Sequence, residues 1–412
     1  MEFTKSPFKI WSVVKEMRKI YNNWDALTPA KQIYYIYELG RFSGIAAGFR
    51  SMHDCRIVLS SFMLAIILLM YYILAFYTIY IRTIDGRFAE GLQCLSISGI
   101  YSYGLVGYIV IVFTKKRFRI PGLCKFSHLN VYNDDHASTK YNQLCKQNIK
   151  RSVKRIKLIM LLTLVSIIVG AANPTYMFFK TGKFYSLTGV LIPGIDEGSP
   201  NETYFNAIYL IGSSMYAGVS LLYVQICSGI LCDTIVLTSD IIVLEMEELS
   251  EHLERNDLKS IEVRLRAKRI ILQILKSDEY VADISDIYYW YFFTSPYLLT
   301  YAIALAMYSQ YLMDFPCGYG LAGMSYIQLF VLCIIGQTTV DSREKIRIGL
   351  GNFKWYLIRD MEVRRDIGFI LQQVQNGSLI TMGPFNVLNY EFAGILTQRI
   401  HSFMMLLINF GK

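Results

Sequence analysis

Apolar positions along this chain gather into long blocks set between charged stretches. Six blocks, at 57–81, 92–114, 158–179, 207–232, 287–311 and 319–340, contain no acidic or basic residue. Each has the length a helix needs to cross hydrocarbon, roughly 17–25 residues. A seventh block, 385–410, is as long but includes Glu391, Arg399 and His401. Open backbone cannot cross lipid unsatisfied, so the blocks are expected to be helices. The pattern predicts an all-α polytopic membrane protein with seven transmembrane helices and no internal repeat.

The polar stretches set an orientation. Of 41 Lys and Arg residues, 35 lie before the first block or in the second, fourth and sixth connections, and only four in the first, third and fifth. Short basic connections stay in the cytoplasm, so the N-terminus is expected inside and the C-terminus outside. The third connection, on the outer side, carries the glycosylation sequon Asn201-Glu202-Thr203. A second sequon at Asn376 falls inside and should go unused. The expected organisation is a cytoplasmic segment 1–56, spans one to six over 57–340, a cytoplasmic helical region 341–384 and a final helix within 385–412.

Composition agrees with a membrane protein. The chain of 412 residues is 53% apolar and 18% charged, with a mean hydropathy of +0.34. A net charge of +9 is spread between apolar blocks and forms no basic face for nucleic acid. Eight cysteines include no CxxC pair, so neither a metal site nor a disulfide framework is expected, and no cofactor. No signal peptide is expected, because residues 1–56 are polar, basic and aromatic with no early apolar core. Asn173-Pro174-Thr175-Tyr176 superficially resembles the NPxxY motif of G-protein-coupled receptors. It is one residue too short, lies in the third span and belongs to a chain of opposite orientation, which excludes that class. No cluster of His, Asp or Glu at membrane depth suggests an enzyme. A transporter should show repeats and broken midplane helices, whereas only Pro174 and Pro296 interrupt spans.

Two cytoplasmic stretches have helical periodicity. In the fourth connection Leu244, Met246, Leu249, Leu253, Leu258, Ile261, Leu265, Ile270 and Leu272 recur at helical intervals, predicting one or two amphipathic helices that extend the spans inward. In the sixth, residues 354–375 form another, with Trp355, Ile358, Met361, Ile367, Ile370, Leu371 and Val374 on its apolar stripe. That stripe either packs on neighbouring copies or lies on the inner membrane surface.

The last block raises a chemical question. Gln398, His401 or Ser402, Met405 and Asn409 recur three or four residues apart on one side of a helix. A mid-membrane Arg is unfavourable by about 2.5–3.5 kcal/mol on insertion scales, and Asn and His need partners too. Three readings answer it: hydrogen bonds to other helices of the chain, snorkelling of Arg399, or a water-filled path shared by several subunits.

The C-terminal stretch from Trp355, ending "ITMGPFNVLNYEFAGILTQRIHSFMMLLINF", resembles that of insect odorant receptors, as do the length, the inward N-terminus and the aromatic-rich spans. The sister gustatory receptors usually end in Thr-Tyr, five apolar residues and Gln. Here His401-Ser402, "FMMLL" and Ile408 hold those places. The shared co-receptor has a longer fourth connection, so the chain is similar to a ligand-tuning subunit. The resemblance implies a ligand-gated, nonselective cation channel of the plasma membrane that assembles with the co-receptor as a heterotetramer, the last helices surrounding a central pore. It places the apolar gate at Met405 and Asn409 and the filter at Ile408, with Gln398 and His401 along the same path. Asn409 stands where the family has an aliphatic residue, and Ile408 where it has Gln. A homomeric, gustatory-type channel is the alternative.

The family's pocket lies in the outer half of the bundle. The positions expected to face it are Ile100, Tyr101 and Gly104 in the second span, and Gly170, Asn173 and Met177 in the third. Met215, Tyr216 and Val219 in the fourth, Tyr301 in the fifth, and Met324 and Tyr326 in the sixth complete the set. None of these side chains is charged at neutral pH, which suits a small neutral volatile, and Met and Tyr suit an aromatic or heteroaromatic one.

Overall fold

The computed structural model describes residues 55–113, 139–181, 190–195, 199–313, 318–375, 377–384 and 386–410. Nine α-helices occur among them: α1 (Cys55–Ile84), α2 (Phe88–Phe113), α3 (Thr139–Thr181), α4 (Pro200–Arg255), α5 (Ser260–Ile287), α6 (Tyr289–Met313), α7 (Gly318–Asn352), α8 (Met361–Gln375) and α9 (Tyr390–Phe410). A 3-10 turn (Trp355–Leu357) precedes α8, and a two-stranded hairpin, β1 (Thr381–Met382) with β2 (Asn386–Val387), precedes α9. The architecture is all-α apart from that hairpin. All seven apolar blocks fall mainly within helices. Among the described residues α7 alone is long and apolar enough to cross a bilayer by length and composition, and Leu69–Ile84 and Cys94–Gly107 are shorter apolar stretches.

Two large cores occur among the described residues. One, between α1, α2, α3, α4, α6, α7 and α9, holds Tyr71, Tyr103, Leu231, Tyr291, Leu332 and Phe392. Large apolar side chains also cover its outside, among them Leu69, Ile73 and Phe76 on α1 and Leu161, Leu164 and Ile168 on α3. Water disfavours so much apolar surface, whereas lipid accepts it. The second core joins the far ends of α4, α5 and α7 to α8, through Met246, Ile270, Ile346, Val363 and Ile367.

The second core corrects both expectations for 354–375. The regular helix starts only at Met361, and its apolar face (Val363, Ile367, Ile370 and Val374) is buried against α5 and α7 of the same chain. Neither a copy nor a membrane is needed to cover that face, because α4, α5 and α7 continue past the apolar blocks and offer it a groove, whereas Met361 of the expected stripe is exposed. The fourth connection is helical as expected, with α4 running on unbroken from the preceding span. Its apolar residues point two ways: Met246, Leu249 and Ile270 are buried, whereas Ile261, Leu265 and Leu272 are exposed.

Polar contacts pin these helices together. Arg343 on α7 donates to the carbonyls of Val374 at 3.0 Å and Ser378 at 2.8 Å, closing the C-terminus of α8, and to Asp278 on α5 at 3.2 Å. Burial raises the Asp278 pKa, and the Arg343 guanidinium pulls it back. Buried Asp240 on α4 accepts from Asn148 on α3 at 2.8 Å and pairs with Lys345 on α7.

The final helix starts later than the sequence pattern suggests, at Tyr390 rather than Phe385. Gly383 takes a left-handed φ of +59°, so the chain reverses there, and Leu388 N–H bonds back to Ile380 at 3.1 Å. Asn389 then caps the helix, its side chain accepting from Phe392 N–H at 2.8 Å. Glu391 sits exposed in the first turn, where the helix dipole favours a negative charge. A Cβ on Gly336 of α7 would lie 1.9 Å from the Leu388 carbonyl oxygen, so that glycine lets the start of α9 lie directly on α7.

Candidate functional site

Helix α9 touches its own chain along one narrow line. Phe392, Leu396 and Ile400, four residues apart, are buried against α6 and α7. Gln398 follows Leu396 by about 200° around the helix and begins the opposite face. There Gln398, His401, Ser402, Met405 and Asn409 are all exposed, while Ile408 is half-buried. Ser402, Met405, Leu406 and Asn409 line an open recess of about 440 Å³. The Ser402 hydroxyl donates to the Gln398 carbonyl of its own helix at 3.0 Å. This placement corrects the first reading of the stripe: it faces away from the other helices of the chain. Such a face is matched by water or by another chain, not by hydrocarbon.

The candidate pocket is described in part. Tyr101 on α2 is buried with its ring edge-on to Tyr71 of α1, centroids 4.8 Å apart, and Ile100 packs on the core beside it. Tyr301 on α6 lies beside the Ser98 side chain of α2. The Tyr72 hydroxyl donates to the Ser98 carbonyl at 3.2 Å and contacts the Ser102 hydroxyl. These contacts join α1, α2 and α6 at one level. Met324 and Tyr326 on α7 are half-buried. Gly104 is buried on α2. Gly170, Asn173 and Met177 on α3, and Met215, Tyr216 and Val219 on α4, occupy helices, but their side chains lie outside the described residues. Beyond the pocket positions, Leu191 N–H donates to Thr78 of α1 at 2.8 Å, and Val190 enters the core. The segment 190–195 thus closes on the bundle at that end. The sequon residue Asn201 is exposed in the first turn of α4, behind the Ser199 cap.

One feature escaped the sequence reading. Gln225 on α4 donates to Gln328 of α7 at 2.6 Å and to the Tyr103 hydroxyl of α2 at 3.1 Å, and accepts from Thr163 of α3 at 3.0 Å. Gln328 in turn donates to Ser166 of α3 at 2.8 Å, and Tyr103 shares a 2.9 Å hydrogen bond with Tyr291 of α6. All six side chains are almost fully buried. On α3, α4, α6 and α7 the network residue lies toward the second core relative to that helix's pocket candidates, and on α2 Tyr103 does so relative to Ile100 and Tyr101 but not Gly104, so the network forms a floor beneath most of them. A signal was present: a glutamine deep in an apolar block, as Gln225 and Gln328 are, must face an interior that satisfies it.

No family model and no curated protein matches the chain. Solved structures do. The insect olfactory receptor OR5 from Machilis hrabei in complex with eugenol superposes with a TM-score of 0.68 at 14% identity, covering 92% of this chain and 99% of that one. A second structure of that receptor gives 0.67 at 13%, covering 91% and 99%. Identity is low, yet the likeness runs the length of both chains: this protein has the fold of the insect olfactory receptors.

Proposed function

We propose that this protein is an odorant-gated, nonselective cation channel subunit of the plasma membrane, with seven spans and a cytoplasmic N-terminus. It binds a small neutral volatile between α2, α3, α4, α6 and α7, and opens a pore lined by α9 in a heterotetramer with the odorant receptor co-receptor. The observation that carries the reading is the outward polar face of α9 (Gln398, His401, Ser402, Met405 and Asn409) on a fold shared with olfactory receptors. A polar line on the side of a helix away from its own bundle suits a wet path enclosed by several copies. Met405 and Asn409 are the gate positions and Ile408 the filter position.

A receptor of this fold has been solved with eugenol, which supports a small volatile ligand here. The pocket positions are uncharged, and Tyr101, Tyr301 and Tyr326 offer rings and hydroxyls for an aromatic or heteroaromatic molecule. The concentration of Lys and Arg in alternate connections supports the orientation. It also places Asn201 outside, where it is a glycosylation site. The test is whole-cell current from cells expressing the chain with and without an insect co-receptor, during exposure to neutral volatiles. Current only with the partner is the expected result. Current from the chain alone would make it a homomeric channel. No current from either, with the protein at the cell surface and a panel broad enough to drive other receptors, would refute the channel reading.

A further inference from the structure

Basic side chains leave the inner half of α3 in two directions. Arg155 meets Asp233 of α4 at 2.8 Å, and Arg151 lies 3.9 Å from buried Asp240. Lys146, Lys150 and Lys154 point outward, exposed, and no carboxylate lies within 4 Å of them among the described residues. The stretch 139–157 contains no Asp or Glu at all. The neighbouring inner ends of α4 and α5 differ, because they mix both signs: Glu251 with Arg255, and Arg264 with Glu362 of α8. The outer side of α3 is therefore a single-signed surface.

Its position gives that surface a partner. Steps of three and four residues carry the line Lys146, Lys150, Lys154 through exposed Lys157 to Leu161, Leu164 and Ile168. These three apolar side chains are 54%, 54% and 57% exposed. One continuous stripe thus changes from apolar to basic between Leu161 and Lys157, where the predicted span begins. Lys146 and Lys154 are separated by about 12 Å along the helix axis. With Lys154 at headgroup depth, the basic part therefore reaches about one and a half Debye lengths of ~8 Å beyond it. Lysine suits this place: its long apolar stem lies along the helix while its ammonium reaches the headgroups.

We propose that Lys146, Lys150 and Lys154 form a binding site for acidic phospholipid headgroups at the inner membrane surface. The site rests on the reading of 158–179 as a span, and on nothing about the ligand or the pore. An acidic lipid held there clamps α3, the helix that carries Thr163 and Ser166 of the buried network, at a fixed depth.

The test uses the full-length protein in neutral detergent, titrated with a fluorescent short-chain phosphatidylinositol 4,5-bisphosphate. Dioctanoyl phosphatidylserine, dioctanoyl phosphatidylcholine and inositol hexakisphosphate serve as competitors. The wild type should bind the probe and release it to phosphatidylserine but not to phosphatidylcholine. K146Q/K150Q/K154Q should weaken binding by roughly tenfold or more, since each near-surface lysine contributes about fivefold. The control R266Q/K268Q/R269Q removes as much charge from exposed positions on α5, about 28 Å along that helix from its inner-surface end. It should stay within about twofold of wild type. Equal loss in both variants would reduce the effect to net charge and overturn the site. So would competition by inositol hexakisphosphate with none by phosphatidylserine, which would assign the lysines to a soluble polyanion. A K146Q/K150Q/K154Q protein that runs as wild type on size exclusion excludes misfolding as the cause. Release of the chain from cell membranes by alkaline carbonate alone would contradict the membrane reading rather than this site, and lipid binding is read without any odorant current.

Discussion

At the scale of single residues, the buried amides and the exposed stripe of α9 obey the same rule: a polar group in an apolar setting must find a partner. Gln225 and Gln328 find theirs within the chain. Replacing one, as in Gln328→Leu, leaves Gln225 and Ser166 short of a partner, with an expected destabilisation of about 1–3 kcal/mol. Gln225→Leu/Gln328→Leu should lose less than the sum of the single changes, because the two amides satisfy each other. Thermal unfolding of the detergent-solubilised variants, followed by tryptophan fluorescence, measures both. The α9 stripe was legible in the sequence because its polar residues share a helical period. The glutamines were not, because a single polar residue in an apolar block has no period to reveal it. Their partners lie 62 to 162 residues away along the chain, too far for any local pattern.

At the scale of elements, the start of α9 is built by contacts that no periodicity encodes. Residues 386–389 read as part of an apolar block, but the turn at Gly383 and the cap at Asn389 claim them. Gly336→Ala should push Leu388 off α7 and misplace the whole helix. The expected result is ligand-evoked current reduced severalfold at unchanged surface expression, measured by patch clamp beside surface labelling. Asn389→Ala should lower stability by about 1 kcal/mol through the lost cap. Helix α8 teaches a related lesson: its apolar face was readable, but its occupant was not, because the groove is assembled from three helices distant in sequence. Arg343→Gln removes the guanidinium that holds the end of α8 and pairs with Asp278. Proteolysis near residue 376 should then become markedly faster than in wild type, with cleavage read by mass spectrometry.

At the scale of the whole molecule, the alternation of apolar and basic stretches carried most of the fold, since lipid punishes an unsatisfied backbone and the charge bias sets direction. The continuation of α4 past its apolar block showed in the helical spacing of its apolar residues, whereas that of α7 was less legible, because charged helices and charged loops share a composition. The pocket was readable only as a set of positions, and part of it lies outside the described side chains. The channel reading depends on the side of α9 that faces away from its own bundle, and thiol accessibility tests that side directly. Cells co-expressing the co-receptor with Asn409→Cys should lose most of their odorant-evoked current on exposure to a membrane-impermeant, positively charged methanethiosulfonate. Leu396→Cys, on the buried face, and the wild type should keep theirs. Undiminished current through Asn409→Cys after that treatment, with block at Leu396→Cys instead, would contradict the account.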